Sequence, residues 1–165
     1  MAGDQAQLLQ LCEDGCWGEA KDLIWRKSKL LHTTCSYGAS PAYWAVSHDS
    51  VEMLEFLVKM VEHFYAKEHR AQVLSAMFET EDDDGETLFH VAASLGHLKC
   101  LCFLVKHSPY GVENLERRDE DDETPAHRAD HAGNSDVLAF IVRNAPSREG
   151  VLKRNAEAED DNISM

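Results

Sequence analysis

Residues 82–109 read DDDGETLFHVAASLGHLKCLCFLVKHSP. Gly85-Glu86-Thr87 leads to His90-Val91-Ala92-Ala93, then to Gly96-His97, then to a leucine-rich segment ending at Leu104-Val105. Whether this belongs to one helix pair or to a unit used several times decides the fold, because a missed repeat misreads the whole architecture. The pattern returns in residues 122–142, DETPAHRADHAGNSDVLAFIV: Thr124 stands for Thr87, His127 for His90, Ala129 for Ala92 and Gly133-Asn134 for Gly96-His97, at a spacing of 37 residues. Upstream, GASPAYWAVSHDSVEMLEFLV puts Gly38, Ser40, Ala45 and Leu57 where Gly85, Thr87, Ala92 and Leu104 stand, 47 residues earlier, with Asp49 in place of Gly96. Before it, LLQLCEDGCWGEAKDLI keeps a short helix, a Gly15 break and a second helix, 34 residues ahead of Asp49. The chain therefore reads as four copies of one unit.

Two of the copies carry a recognisable motif. Thr87-x-x-His90-x-Ala92-Ala93-x-x-Gly96-His97 and Thr124-Pro125-Ala126-His127-x-Ala129-x-x-x-Gly133 resemble the ankyrin-repeat consensus, Thr-Pro-Leu-His-x-Ala followed by Gly-His or Gly-Asn. The resemblance covers roughly residues 5 to 145 and is most specific in the third and fourth copies. It implies an all-α solenoid of stacked antiparallel helix pairs with projecting loops between repeats. It also implies a structural task for His90 and His127, hydrogen bonding across neighbouring turns.

Local chemistry points the same way. Ser40, Thr87 and Thr124 precede short apolar helices and can cap their free N–H groups, while Pro41 and Pro125 take the first helical position, where a missing N–H costs nothing. Ala42, Ala45, Ala92, Ala93, Ala126 and Ala129 are small enough for close helix packing, and Gly15, Gly96 and Gly133 can take the left-handed conformation that ends a helix. Second helices place Met53, Leu54 and Leu57, or Leu98, Leu101 and Leu104, or Val137, Leu138 and Ile141, on one apolar stripe. No single pair can bury that stripe, so the units must stack.

Departures from the pattern carry expectations of their own. Asp122 stands where the family has glycine in the turn before the first helix, and aspartate is one of the few side chains that tolerates positive φ. Arg128 and Asp130 replace Val91 and Ala93, which suits a terminal repeat with a wet outer face. The second-to-third spacing exceeds the usual 33 residues by 14. The extra material carries Val61, Phe64 and Tyr65 in line with the preceding helix, and Val73, Leu74, Met77 and Phe78 predict a further helical turn or two. An elongated second helix with a short helical insertion over residues 62–80, packed peripherally, is the expected result.

Composition bounds the rest. A chain of 165 residues, 44% hydrophobic and 28% charged, suits one globular domain, and no apolar run approaches a membrane span. The N-terminal residues lack a basic region followed by an apolar block, so no secretory signal is expected. Five cysteines without framework spacing fit reduced thiols and an intracellular, cytoplasmic or nuclear location. Thirty acids against sixteen basic residues give a net charge of −14, which disfavours nucleic acid and anionic lipid and favours a protein partner with a basic patch.

Site chemistry is sparse. Cys12 with Cys16 and Cys100 with Cys102 lack zinc-knuckle spacing. An EF-hand register through Asp84-Gly85 would put Val91 at the twelfth, bidentate position, which excludes it. Phosphate loops, serine-nucleophile elbows and the His-Glu-x-x-His zinc motif are missing, so neither enzyme activity, metal nor cofactor is expected. What the repeat leaves unexplained is acid clustering: residues 79–86, 113–123 and 157–161 hold more than half of the 30 acids.

The first two clusters fall in inter-repeat loops on one edge, where they would form a negative rim along the concave surface, steering a basic partner. Asp82, Asp83, Asp84, Glu86, Glu116, Asp119, Glu120, Asp121 and Asp122 are its candidate residues. Trp17, Trp25 and Trp44 read as core, but Trp44 pairs with Tyr43, which replaces the motif histidine, and an exposed Tyr43–Trp44 pair would make a binding hot spot.

The predicted organisation is an ankyrin-repeat domain over residues 1–145, with repeats near 5–32, 36–62, 82–108 and 119–145 and a helical insertion near 62–80, followed over 146–165 by a short C-terminal segment, SREGVLKRN, and an acidic, disordered tail, AEAEDDNISM. The predicted function is a non-catalytic adaptor or inhibitor that binds a protein through its acidic loops. Alternatives are an IκB-like or kinase-inhibitor-like protein masking a basic segment, and a purely structural subunit.

Overall fold

The computed structural model describes residues 2–36 and 38–147; the predicted tail from residue 148 onward lies outside the described residues. Among the described residues there are nine α-helices: α1 (Ala2–Glu13), α2 (Trp17–Arg26), α3 (Pro41–Ser47), α4 (Val51–Phe64), α5 (Lys67–Phe78), α6 (Leu88–Leu95), α7 (Leu98–His107), α8 (Pro125–His131) and α9 (Ser135–Asn144). Two 3-10 turns, Ser28–His32 and Glu113–Glu116, lie between them. There is no strand among the described residues, only an isolated antiparallel bridge between Glu81 and Thr87.

The helices pair as α1/α2, α3/α4, α6/α7 and α8/α9, and the pairs stack in two layers. First helices α1, α3, α6 and α8 pack in sequence, and second helices α2, α4, α7 and α9 do the same. The six expected alanines are all buried, which lets the first-helix layer close up. Met53, Leu54, Leu57, Leu101, Leu104, Val137 and Ile141 form the core between layers, with Leu98 and Leu138 half-buried at its margin.

Helices α3, α6 and α8 start as their sequences dictate. Ser40 Oγ accepts the Tyr43 N–H at 3.1 Å. Thr87 and Thr124 form capping boxes in which the threonine hydroxyl takes the N–H three residues on, and the motif histidine there takes the threonine's own N–H. Pro41 and Pro125 open their helices. The turn between partners is left-handed: Gly96 has φ +75°, and Asp49, its counterpart one repeat earlier, has φ +52°. Asp122 also sits at positive φ, +62°, as expected of it.

Neighbouring repeats are tied by side chains reaching back to helix ends. His48 Nε2 bonds the Glu13 carbonyl (2.9 Å), His97 Nδ1 the Val46 carbonyl (2.7 Å), and Asn134 Nδ2 donates to the carbonyls of Ala93 and Ser94 (both 2.9 Å). These bonds satisfy carbonyls that a helix C-terminus leaves orphaned.

Three expectations are corrected. The insertion carries a full three-turn helix, α5, rather than one or two turns; Arg70 pins its start by donating to the Tyr65 carbonyl (3.1 Å) and the Glu62 carbonyl (2.6 Å) at the end of α4. Phe64 does not continue the buried stripe but is 41% exposed. Trp25 is not core: it is 52% exposed near the end of α2, where it stacks on His63 at 5.1 Å. All five cysteines are free thiols, and burial pushes Cys12 and Cys100 up to about 12.

Candidate functional site

Three hairpins of one design project before α3, α6 and α8. In each, the first residue's N–H donates to the fifth residue's carbonyl: Cys35 to Ala39 (2.9 Å), Asp82 to Glu86 (3.0 Å) and Asp119 to Glu123 (3.0 Å). In the two acidic hairpins the first aspartate also folds its carboxylate inward. Asp82 Oδ1 accepts the N–H groups of Asp84 (3.0 Å) and Glu86 (2.9 Å), and Asp119 Oδ1 accepts that of Glu123 (2.9 Å). These are the local side-chain-to-backbone bonds that aspartate favours in turns.

The hairpins stack edge to edge. Glu120 N–H donates to the Asp84 carbonyl at 3.2 Å, and a Cβ added at Gly38 would stand 3.0 Å from Asp82 Cα. Asp83, Asp84, Glu120, Asp121 and Asp122 are exposed at the tips.

Other acids of the expected rim do not project. The Asp119 side chain is fully buried, and its Oδ2 is held by Arg128 at 2.7 Å. Burial would raise its carboxyl, but the Glu123 N–H and the Arg128 guanidinium outweigh that and hold it below the usual carboxylate range. Arg128 also meets Glu86 (3.1 Å), Glu123 (3.3 Å) and Asp121 (3.3 Å), so one guanidinium ties four carboxylates from two hairpins. Glu86 is half-buried and pushed up, by burial first, despite Arg128. Glu116 faces Ser147, whose N–H and hydroxyl donate to Oε1 at 2.5 and 2.6 Å. Asp119, Glu86 and Glu116 are therefore internal fastenings of the stack, and Arg128 does more than present a wet end. Sequence reasoning missed that role because it depends on partners up to 42 residues away.

Beside the first acidic tip the structure brings together two groups that the sequence had kept separate. Tyr43 and Trp44, half-buried on α3 and packed edge-to-face at 5.4 Å, share a cavity of about 610 Å³ with Asp82, Asp83 and Asp84. Leu9, Glu13, Cys35 and Ala39 complete its wall, and none of these lining residues is basic. The Tyr43 phenol is pushed up from its ordinary value by burial and then by the Asp82 charge, so it stays protonated. The aromatic run extends along the stack, with Trp44 at 6.4 Å and Trp17 at 5.6 Å from the His48 ring. By contrast, Asp121 and Asp122 stand beside the Arg118 and Arg128 guanidinium groups.

His90 does what the resemblance implies and bonds across to the next turn, whereas His127, among the described residues, bonds only within its own turn. His90 Nδ1 accepts the Thr87 N–H (3.1 Å), which leaves the proton on Nε2 to bond the Glu123 carbonyl (3.1 Å) of the next repeat. His127 accepts the Thr124 N–H in the same way at 3.1 Å. Burial lowers both imidazoles from their ordinary value. Among the described residues no group of three or more His, Cys, Asp or Glu side chains is arranged to hold a metal ion, and no helix is long and apolar enough to cross a membrane.

Residues 59–149 match the family model for ankyrin repeats in three copies. Over 92 residues the chain is 28% identical to a protein of Saccharomyces cerevisiae described as the probable 26S proteasome regulatory subunit p28; the match takes in 56% of this chain and 36% of that protein, so the chain spans about a third of its relative. Among solved structures it is similar to a chain in the crystal structure of the yeast ribosomal protein Rps3 in complex with its chaperone Yar1. The TM-score there is 0.75 at 17% identity, over 88% of this chain and 95% of that one. With the family model covering more than half its length and the stacked pairs, capping boxes and inter-repeat histidine in place, the chain belongs to the ankyrin-repeat family, a fold of protein-interaction modules.

Proposed function

We propose that this protein is a non-catalytic adaptor or inhibitor that captures a basic segment of a protein partner between the 82–84 hairpin tip and the Tyr43–Trp44 pair. The observation that carries this reading is the shared cavity, in which carboxylates and aromatic rings line one wall-to-wall surface without a basic side chain. Such a surface suits a lysine or arginine side chain: the carboxylates supply charge-assisted hydrogen bonds and the rings a cation–π face. The exposed acids Glu120, Asp121 and Asp122 along the same edge would guide the partner's approach more than hold it. A ribosomal protein with its chaperone, in the similar structure, and a proteasome regulatory subunit, the curated relative, are both parts of protein assemblies, which supports a binding role of this kind. Covering a basic segment would also make the chain an inhibitor of whatever else that segment binds.

The test is capture of proteins from lysate by the intact chain, followed by titration of the captured partner. Asp83→Asn with Asp84→Asn, and separately Trp44→Ala, should each weaken binding about tenfold or more, which is 1.4 kcal/mol. Trp25→Ala, on a different face, should not. Binding by the wild type should weaken steeply between 50 and about 300 mM salt. A partner held equally by all variants would place the working surface elsewhere.

A further inference from the structure

The layer of second helices carries a groove of its own. Between α4 and α7 lies an open cavity of about 840 Å³, whereas the Tyr43–Trp44 cavity is walled by first helices and hairpins. The floor of the groove is apolar: Val51 and Val58 come from α4, and Leu98, Cys102 and Phe103 from α7. His107 lies flat on Phe103, with ring centroids 4.2 Å apart and planes at 20°, and lengthens that floor by one turn.

Its two walls are charged with opposite signs. Glu55 and Glu62 stand on the α4 side, Lys99 and Lys106 on the α7 side. Each pair is separated by seven residues, two helical turns or about 10.5 Å, so each runs along one edge. Val51 and Leu98 open their helices 47 residues apart, the spacing of their repeats; Glu55 and Glu62 come four and eleven places after Val51, Lys99 and Lys106 one and eight after Leu98. The edges therefore run in step, with one constant offset. Burial and then Lys106 hold the His107 imidazole below its ordinary value, against the pull of Glu62 and Glu55, so charges from both walls are felt at the floor. Lys59 also lines the groove but lies further round α4, on its crest.

The junction of α2 with α4 is closed differently. There Lys21 bonds Glu52 at 2.5 Å and lies over the Phe56 ring at 5.8 Å. Among the described residues, none of the side chains of Glu55, Glu62, Lys99 and Lys106 has an ion pair or a hydrogen bond, so opposite charges face each other across an uncovered apolar floor. Such a groove selects its occupant. It runs between two helices and offers no sheet edge, so the occupant must satisfy its own backbone, as a helix does. An apolar stripe on that helix covers the floor; basic residues at i and i+7 on one edge of the stripe meet Glu55 and Glu62, and acidic residues at i and i+7 on the other meet Lys99 and Lys106. A second copy offers no such ridge through this face, because its own crests carry the exposed charges of Glu52, Glu55, Lys59, Lys99 and Lys106.

We propose that the α4/α7 groove docks an amphipathic helix of a partner protein, with basic residues along one edge of its apolar stripe and acidic residues along the other. The inference does not rest on the reading of the Tyr43–Trp44 cavity. With both surfaces in use the chain would join two partners, one on each layer.

Methyl NMR of Val51, Val58 and Leu98 in the full chain, titrated with synthetic helices stapled on their outer face, tests this. Three peptides share one leucine stripe and differ at its edges: lysine on one and glutamate on the other, lysine on both, or glutamate on both. At about 0.15 M salt, where long-range attraction to the acidic hairpins is screened, the mixed-edge peptide should shift these methyls and bind at least about tenfold more tightly than the other two. Glu55→Lys with Glu62→Lys, at exposed positions, should turn the preference to the all-glutamate peptide, a gain that unfolding cannot mimic. No shift of these methyls with any peptide would overturn the proposal, as would equal affinity for all three or a preference that the variant leaves unchanged. Shifts that appear with protein concentration alone would overturn it too, giving the face to a second copy.

Discussion

At the scale of single residues, the stack turns on imidazoles kept neutral. His90 can hold both Thr87 and the Glu123 carbonyl only with Nδ1 bare and Nε2 protonated. Burial lowers the pKa of His90, His107 and His127 from the ordinary 6.5, so the folded chain refuses protons that the unfolded chain accepts. Stability from these groups is complete above pH 6.5 and falls as pH drops from there toward each depressed folded value. Urea midpoints at pH 7.5, 6.5 and 6.0 should therefore decline, and His90→Gln should flatten the decline by up to ~1.4 kcal/mol per pH unit, the weight of one proton. A pH-independent midpoint over that range would contradict neutral burial of the imidazoles. The role of His90 was legible in the sequence because its motif is local. That of Arg128 was not, since a guanidinium that ties Glu86, Asp119, Asp121 and Glu123 shows in sequence only as a charge at an apolar position.

At the scale of elements, the hairpins are joined by backbone as well as by Arg128, and Gly85 is where the backbones touch. It has φ +72°, and a Cβ there would stand 2.9 Å from the Glu120 nitrogen. Gly85→Ala should cost about 2–3 kcal/mol, combining left-handed strain with displacement of the next hairpin. Gly133→Ala, at φ +74° with nothing within 4 Å, should cost only the strain, about 1 kcal/mol. Equal losses in chemical denaturation would mean that the hairpin contact carries no stability. Helix starts were readable from Ser40, Thr87 and Thr124 because capping is decided within four residues. The length of α5 was not, because its first turn, Lys67-Glu68-His69-Arg70, is solvated and only its last two turns carry apolar residues. The meeting of Tyr43 and Trp44 with Asp82 was equally hidden, since it is made by stacking across a 47-residue spacing.

At the scale of the whole molecule, a net charge of −14 with acidic tips brought side by side sets repulsion against the stack. Raising salt from 10 mM to 0.1 M shortens the screening length from about 30 to about 10 Å. The melting temperature should rise by roughly 1–2 °C, about half a kcal/mol in a chain of this size. A fall would mean that attraction at Arg128 outweighs repulsion at the tips.

The bonds from His48, His97 and Asn134 all run from a later repeat to the helix end of an earlier one, and the carbonyl that His90 needs also lies in the repeat after it. The first three repeats leave polar groups open that their successors complete. During synthesis each helix pair would thus emerge with open ends and close only when roughly one more repeat has left the ribosome, so folding trails translation by about one repeat.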